Sequence, residues 1–402
     1  MNDTSDRIRT DLEALARVAH RYAGTEGERE MLHQVRSRLA EDSAGRVRIE
    51  GFVAYTSPGL VLGAHALALF VAGLIGLSWP LPAALACALV TVSLVSEGLG
   101  QYSVLRRILP KSASYNLVWR RQTEGALGTL IVTAPLDTPR WRPNRPRWLR
   151  RPMQLLLGAA AALTMVVTLR ALAEPWGRPT QGMYVASLGV LAGSVAVGIV
   201  LHRRAGGVHE DPSGPAALLE LVRRFEADPP PSLDVWAVFT GCGFAYQNGM
   251  HAFLAMRRGR LVEPTLVVAL SEPGRPRLRA VVSEGPLIPQ HHRPTGPALV
   301  ERLRWAGLDL ASADLPGVTD ARAAMSWGYR AVALAGGSEP PTVDDTVRAV
   351  EVTEAIGRLY AEDLRRVPDL HPTLRHLLPQ PELPEAEAER APVRTGAVEV
   401  TS

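Results

Sequence analysis

The densest group of ionisable side chains is HEDPSG, where His209, Glu210 and Asp211 stand just ahead of a helical stretch. A histidine with two carboxylates is the raw material of a metal site or of acid–base chemistry. The same residues serve equally as a helix cap and a solvated loop. His291 and His292 form a second candidate, but neighbours on an extended chain point to opposite sides, so they read as ordinary exposed histidines of a Pro-rich loop. Cys87 and Cys242 are too few for a disulfide framework or a cysteine-based zinc site, and both read as small buried hydrophobes. HExxH, GxSxG and GxxxxGK[ST] patterns are absent. One stretch is conspicuous for what it lacks. VWAVFTGCGFAYQNG, Val235 to Gly249, is a buried strand running into a loop, where α/β enzymes place catalytic groups. It contains no acid, histidine or lysine.

The elements that must position these residues fall into two classes. Pro58 to Ser78 carries one histidine and no permanent charge, the length a helix needs to cross about 30 Å of hydrocarbon. AALACALVTVSLVSEGLG follows a WPLP break, and Met153 to Leu172 with Met183 to Leu201 form another such pair. Four transmembrane helices in two hairpins, 58–99 and 153–201, are therefore expected. Small residues recur along them, as at close helix contacts in lipid. The competing reading is a set of core helices. His65 and Arg170 lie in or beside these spans, where an ionisable residue is a functional candidate; the plain alternatives are packing for His65 and snorkelling to the interface for Arg170.

Charge sets the orientation. Between the hairpins, Arg106, Arg107, Lys111, Arg120, Arg121, Arg140, Arg142, Arg145, Arg147, Arg150 and Arg151 face only Glu124 and Asp137. The turns inside the hairpins carry Glu174 and Arg178 alone. The positive-inside rule then puts both termini and the soluble part in the cytoplasm of a multi-pass protein of the cell membrane. Its polar first 50 residues do not have the pattern of a cleaved signal peptide. Membrane lipids are the expected contact of the basic segments; no aromatic-interleaved basic motif points to nucleic acid.

With the hairpins removed, 1–56, 101–149 and 203–368 remain as one discontinuous domain, and 369–402, rich in Pro, Glu and Ala, is expected to be a disordered tail. Helical spacing marks Arg7 to Ala19, Gly27 to Ala40, Pro215 to Glu226, Gly249 to Met256, Gly296 to Trp305 and Asp344 to Arg365. Strand patterns mark Arg46 to Tyr55, Ser114 to Arg120, Gly128 to Thr138, Leu233 to Thr240, Thr265 to Leu270, Leu278 to Val282 and Ala331 to Leu334. Alternation of the two predicts an α/β fold, a mixed sheet with helices on both faces.

The order of pieces carries a resemblance. AGTEGEREMLHQVRSRL, an EGF strand, YNLVWR, LIVTAPLDT, EDPSGPAALLEL, VFTG, TDARAAMSWGYRAVAL and PPTVDDT follow one another. Together they resemble the co-catalytic di-zinc aminopeptidase family, whose fold also serves glutaminyl cyclases and the transferrin-receptor ectodomain. Both hairpins fall at connections between these blocks, where insertions cost little. The resemblance implies two zinc ions about 3.5 to 4 Å apart and a bridging water activated by a glutamate base.

Carried over residue by residue, the family's ligand positions fall on Pro135, Glu210, Phe244, Ser271 and Pro341, and its base on Gly243. Asp137, Asp320 and Asp345 match positions that orient or support the site; Asp211 and Glu272 stand beside ligand positions. Proline and phenylalanine cannot bind zinc, so no cofactor and no catalytic residue are expected. The sequence thus predicts a peptidase-like pseudoenzyme that binds or scaffolds, with a vestigial cleft of Asp137, Glu210, Asp211, Asp320 and Asp345 able to hold a peptide or protein. Two alternatives stay open. One is a membrane metallopeptidase or other hydrolase using a non-standard site, with zinc as its cofactor. The other is a transporter-like role for the spans.

Overall fold

The structure, a computed structural model, describes residues 3–43, 47–98, 106, 109–139, 152–173, 184, 187–193, 195, 211–285, 289–292, 295–308, 310–315 and 317–366. His209, Glu210, the 174–182 turn, the arginines of 140–151 and the 369–402 tail lie outside the described residues.

Among the described residues, nine strands form one sheet: β1 (Val47–Ala54), β2 (Ser112–Arg121), β3 (Gly128–Pro135), β4 (Leu233–Thr240), β5 (Thr265–Ser271), β6 (Arg279–Glu284), β7 (Gln290–His291), β8 (Ala311–Leu315) and β9 (Arg330–Ala335). Their order is β1-β2-β4-β3-β5-β9-β6-β7, with β8 paired to β6. β4, β3, β5 and β9 run parallel at the centre, while β2 is antiparallel to both β1 and β4. Every residue of β4 is buried, the signature of a strand covered on both faces.

Strand alternation divides the core in two. Val235, Ala237 and Phe239 join Leu130, Val132 and Val268 on one face, beneath α1 (Asp3–Leu15), α2 (Glu26–Ser43), α6 (Ser213–Ala227), α8 (Thr295–Trp305) and α10 (Val343–Arg366). Trp236 and Val238 join Ile131 and Val267 on the other, beneath α7 (Asn248–Met256) and α9 (Asp320–Ser326). The expected mixed sheet with helices on both faces is present, and the chain through Arg365 is one compact unit. Strands β7 and β8 and helix α9 were not expected.

Apolar helices α3 (Pro58–Ile75), α4 (Pro80–Gly98) and α5 (Pro152–Ala173) pack through Leu69, Cys87, Leu94, Leu163 and Val167. Ser57 caps α3 by accepting from the Leu60 N–H, and Pro58 fits its first turn. α3 and α4 are long and apolar enough to cross a membrane; the apolar part of α5, Leu156–Leu172, is shorter. Of the span expected at 183–201, only Tyr184, 187–193 and Val195 are described. His65 is buried between the Val61 carbonyl, 2.8 Å from Nδ1, and Ser93 Oγ, 3.1 Å from Nε2. Arg170 donates to the Leu77 carbonyl beyond the end of α3 and lies over the Tyr184 ring. Both therefore occupy packing and helix-end positions within the bundle.

Candidate functional site

The parallel strands end together, and their carboxyl ends enclose a small crevice. Pro135 closes β3, Gly243 and Phe244 follow β4, Ala269 to Ser271 close β5, and Val318, Thr319 and Asp320 lead into α9. Its free volume is about 10 Å³, the room of one water molecule. Four positions named from the sequence for ligands or base, Pro135, Gly243, Phe244 and Ser271, thus meet at one place with Asp320.

The loop after β4 is held by buried carboxylates. Glu28 accepts from the Cys242 N–H at 2.6 Å, the Gly24 N–H at 2.8 Å and Ser114 Oγ at 2.9 Å. Asp137 Oδ1 accepts from the Gly243 N–H at 2.7 Å, and Oδ2 from the Phe244 N–H at 3.1 Å. These bonds hold a loop in which Cys242, Tyr246 and Gln247 have φ of 50°, 63° and 49°. Left-handed conformations of non-glycine residues cost of order 1–3 kcal/mol each and persist only when their surroundings fix them. Gly243 is required by proximity: a Cβ there would lie 2.6 Å from Pro135 Cβ and 3.2 Å from Asp137 Oδ1.

Burial raises the acids of this region, joined at Asp137 and Asp320 by neighbouring acid charges. Asp137 is held well above the usual carboxylate range by burial and then by the neighbouring Glu28 charge, against the opposing loop N–H groups. Glu28 is raised by its own burial. Asp320, which accepts from Thr240 Oγ1 at 2.7 Å, is pushed up to about 6 by burial. The Cys242 thiol is raised by burial and by the adjacent acids, the opposite of an activated nucleophile.

Asp211 belongs to a separate ion-pair group. Its Oδ1 accepts from the Ser213 N–H at 2.9 Å, while Oδ2 faces Arg275 Nε at 2.6 Å. Arg275 also approaches Glu272 at 3.2 Å and donates to the Ser338 carbonyl at 3.2 Å. Its guanidinium therefore supplies the positive charge between the two acids nearest the predicted ligand positions. The cap of α6 was expected within Asp211 to Ser213; the residue at the cap is Pro212, and Asp211 accepts from the Ser213 N–H beside it.

Pro341 and Asp345 do not line the crevice. They sit at the entry to α10, where Thr342 Oγ1 accepts from the Asp345 N–H at 3.0 Å and donates to Asp345 Oδ2 at 2.6 Å. His292 corrects the reading of two exposed histidines. His291 is exposed, but His292 is 1% exposed, with Nε2 3.0 Å from Glu284 Oε1. Glu284 in turn accepts from the Thr319 N–H at 2.6 Å, supporting the crevice wall from behind.

Sequence reasoning assigned no role to Glu28, Arg275 or the Glu284–His292 pair. The only available signal for Arg275 was an arginine three residues after Glu272 in SEPGR. Among the described residues, no three of His, Cys, Asp and Glu are placed to share a metal ion. The residues with polar side chains that line the crevice are Ser271, Thr319 and Asp320; the rest of the lining is apolar or glycine.

No protein-family model and no curated protein matches the chain. Solved structures similar to it include a glutaminyl cyclase from Tannerella forsythia, 12% identical, covering 88% of this chain and 98% of that one, with a TM-score of 0.48. A Zn-dependent exopeptidase from Parabacteroides distasonis is 12% identical over 90% of this chain and 97% of that one, with a TM-score of 0.46. The LapA aminopeptidase of Legionella pneumophila is 11% identical over 88% of this chain and 71% of its own, also with a TM-score of 0.46.

Proposed function

We propose that this chain is a multi-pass membrane protein whose cytoplasmic α/β unit keeps a zinc-aminopeptidase-like architecture without the hydrolytic site, and acts as a binding or scaffolding surface. One observation carries the reading. The loop that would bear a base and a ligand is packed so closely on Pro135 and Asp137 that position 243 has no room for a Cβ without displacing a neighbour.

The described residues at the predicted ligand positions do not fit a zinc pair. Pro135 and Phe244 offer no donor atom, Ser271 offers a neutral hydroxyl, and Asp137 already accepts from two loop N–H groups. Asp211 and Glu272 face the Arg275 guanidinium, a cation in place of a metal. The membrane assignment is supported by α3 and α4, of whose apolar windows only 33% and 28% are buried, unlike core helices. Leu67, Leu85, Leu89 and Val92 face outward at 52%, 65%, 63% and 67% exposure. Polarity of the connecting segments, rich in arginine on the domain side, supports the cytoplasmic orientation.

The test is the metal content of the purified full chain, together with its turnover of aminoacyl substrates and of peptides with N-terminal glutamine. Substoichiometric zinc and background turnover are expected. Two tightly bound zinc ions per chain, or hydrolysis abolished by chelation, would overturn the proposal. A second reading, hydrolysis through a non-standard acid, rests on Asp320 being raised to about 6 beside the crevice. Turnover that resists chelation and is lost in Asp320→Asn would favour it.

A further inference from the structure

The chain passes between the α/β unit and the apolar helices at several places, and all lie on the same edge of the sheet. β1 ends at Ala54 and leads through Tyr55 to α3; because β1 and β4 are both antiparallel to β2, this is the carboxyl edge of β4. The return after α4 enters β2 at Ser112, which pairs with Ala54 on that edge. The second departure follows Pro135 and Thr138, and the second return reaches Asp211 and Ser213, whose hydroxyl accepts from the Gly274 N–H just past β5.

Side chains fasten the first hairpin to the same edge. Arg322, in the first turn of α9, donates to the Gly98 carbonyl at the end of α4. Asn248 donates to the Tyr55 carbonyl at 3.2 Å, and Arg106 lies 5.6 Å from the Tyr55 ring and 4.7 Å from that of Tyr246, in the loop after β4. Arg170, near the end of α5, meets Leu77 in the turn of the first hairpin, so the start of α5 lies toward the domain as well. The apolar helices therefore all approach the domain where the crevice opens.

We propose that the carboxyl edge of the sheet, with the crevice in it, is a membrane-facing surface seated on the lipid headgroup layer. This rests on the membrane reading proposed above and adds to it the direction from which the crevice is reached. Charge favours anionic headgroups as the occupant. Lys111 is exposed on this edge, and the sequence between Pro139 and Pro152 carries Arg140, Arg142, Arg145, Arg147, Arg150 and Arg151. Each basic residue near an anionic surface contributes about 1 kcal/mol. A ligand of the crevice is then a group presented at the membrane surface, rather than one arriving from bulk cytoplasm.

Depth measurement on the full chain tests this. Single cysteines at exposed Gly317 and Ser338 mark the carboxyl edge; cysteines at exposed Glu124 and Arg260 mark the amino edge, about 26 Å away for an eight-residue strand. Native Cys87 and Cys242 are buried. Each variant is labelled with bimane and reconstituted in nanodiscs holding headgroup-spin-labelled lipid, with and without phosphatidylglycerol. Quenching of the Gly317→Cys and Ser338→Cys labels at least threefold above that of the other two, increasing with phosphatidylglycerol, is the expected result. Equal quenching at both edges, or stronger quenching at the amino edge, would overturn the proposal. Alkaline carbonate extraction of native membranes separates the two levels: protein released into the supernatant sinks the membrane reading itself, whereas retained protein with the wrong quenching pattern sinks only the orientation.

Discussion

Replacing Arg275 by methionine removes the cation from a pair in which the arginine side chain is 7% and the Asp211 side chain 0% exposed. Asp211 would keep its Ser213 N–H donor and would stand near Glu272 without the guanidinium that both face. Breaking a buried pair from one side costs about 3–5 kcal/mol, because the surviving charge stays desolvated. In a unit of this size each kcal/mol lowers the melting temperature by about 2 °C, so a fall of roughly 6–10 °C is expected. Combining Arg275→Met with Asp211→Asn removes the stranded charge, and most of the loss should return. Urea unfolding of detergent-solubilised protein, followed by tryptophan fluorescence, gives the single and double variants and hence their coupling. A loss below about 1 kcal/mol for Arg275→Met, or strict additivity in the double variant, would refute the claim that the guanidinium compensates Asp211. The same variant bears on the metal question. If Arg275 stands where a metal would, Arg275→Met should gain weak divalent-ion binding through Asp211 and Glu272, read by isothermal titration with zinc.

Asp320 and Gly243 give two further tests. The Asp320 carboxyl, raised from 3.8 to about 6, keeps its proton in the native state where the unfolded chain has lost it. Stability from this group is therefore full below pH ~4 and falls as pH rises to ~6, by up to about 3 kcal/mol. Asp320→Asn should flatten that window in melting curves taken from pH 4 to 7; an unchanged profile would contradict the assignment. Gly243→Ala should lose about 1–3 kcal/mol through overlap with Pro135, and Gly243→Glu, which supplies the missing base, should lose more without gaining peptidase activity. Full stability of Gly243→Ala would show that the loop is looser than described.

Much of the architecture was legible because hydrophobic period is local. The β4 range Leu233–Thr240 follows from the apolar run Val235 to Phe239 at its centre, and α10 from a long amphipathic stretch. β7 has two residues, β8 reads ASADL, and α9 reads DARAAMS. None carries a pattern strong enough to distinguish it from loop. Meeting of Pro135, Gly243, Phe244 and Ser271 depends on β4, β3 and β5 being spatial neighbours, which no single segment reveals. Resemblance of ordered blocks supplied that expectation. It did not supply Arg275, which pairs with an acid 64 residues away, nor the burial of His292, whose partner Glu284 lies across the β6–β7 turn. Pro341 and Asp345 were grouped with the cleft by alignment alone, whereas Thr342 uses Asp345 to start a helix.

The buried acids explain why a loop without catalytic groups stays so tightly defined. Burial raises both Glu28 and Asp137, and the Glu28 charge raises Asp137 further, an arrangement that costs stability unless something uses it. Here their oxygens accept the N–H groups of Cys242, Gly243 and Phe244, which a loop with left-handed residues cannot pair within itself. The carboxylates thus organise backbone rather than metal, and the backbone they organise carries Tyr246 and Asn248 to the first hairpin. On this account, removing one of the two accepting oxygens of Asp137 should loosen the contact with α4 as well as the crevice. Hydrogen exchange of Asp137→Asn should rise in the loop and at the end of α4 together; an increase confined to the loop would separate the two and leave the Arg322 bond to Gly98 as what holds the end of α4.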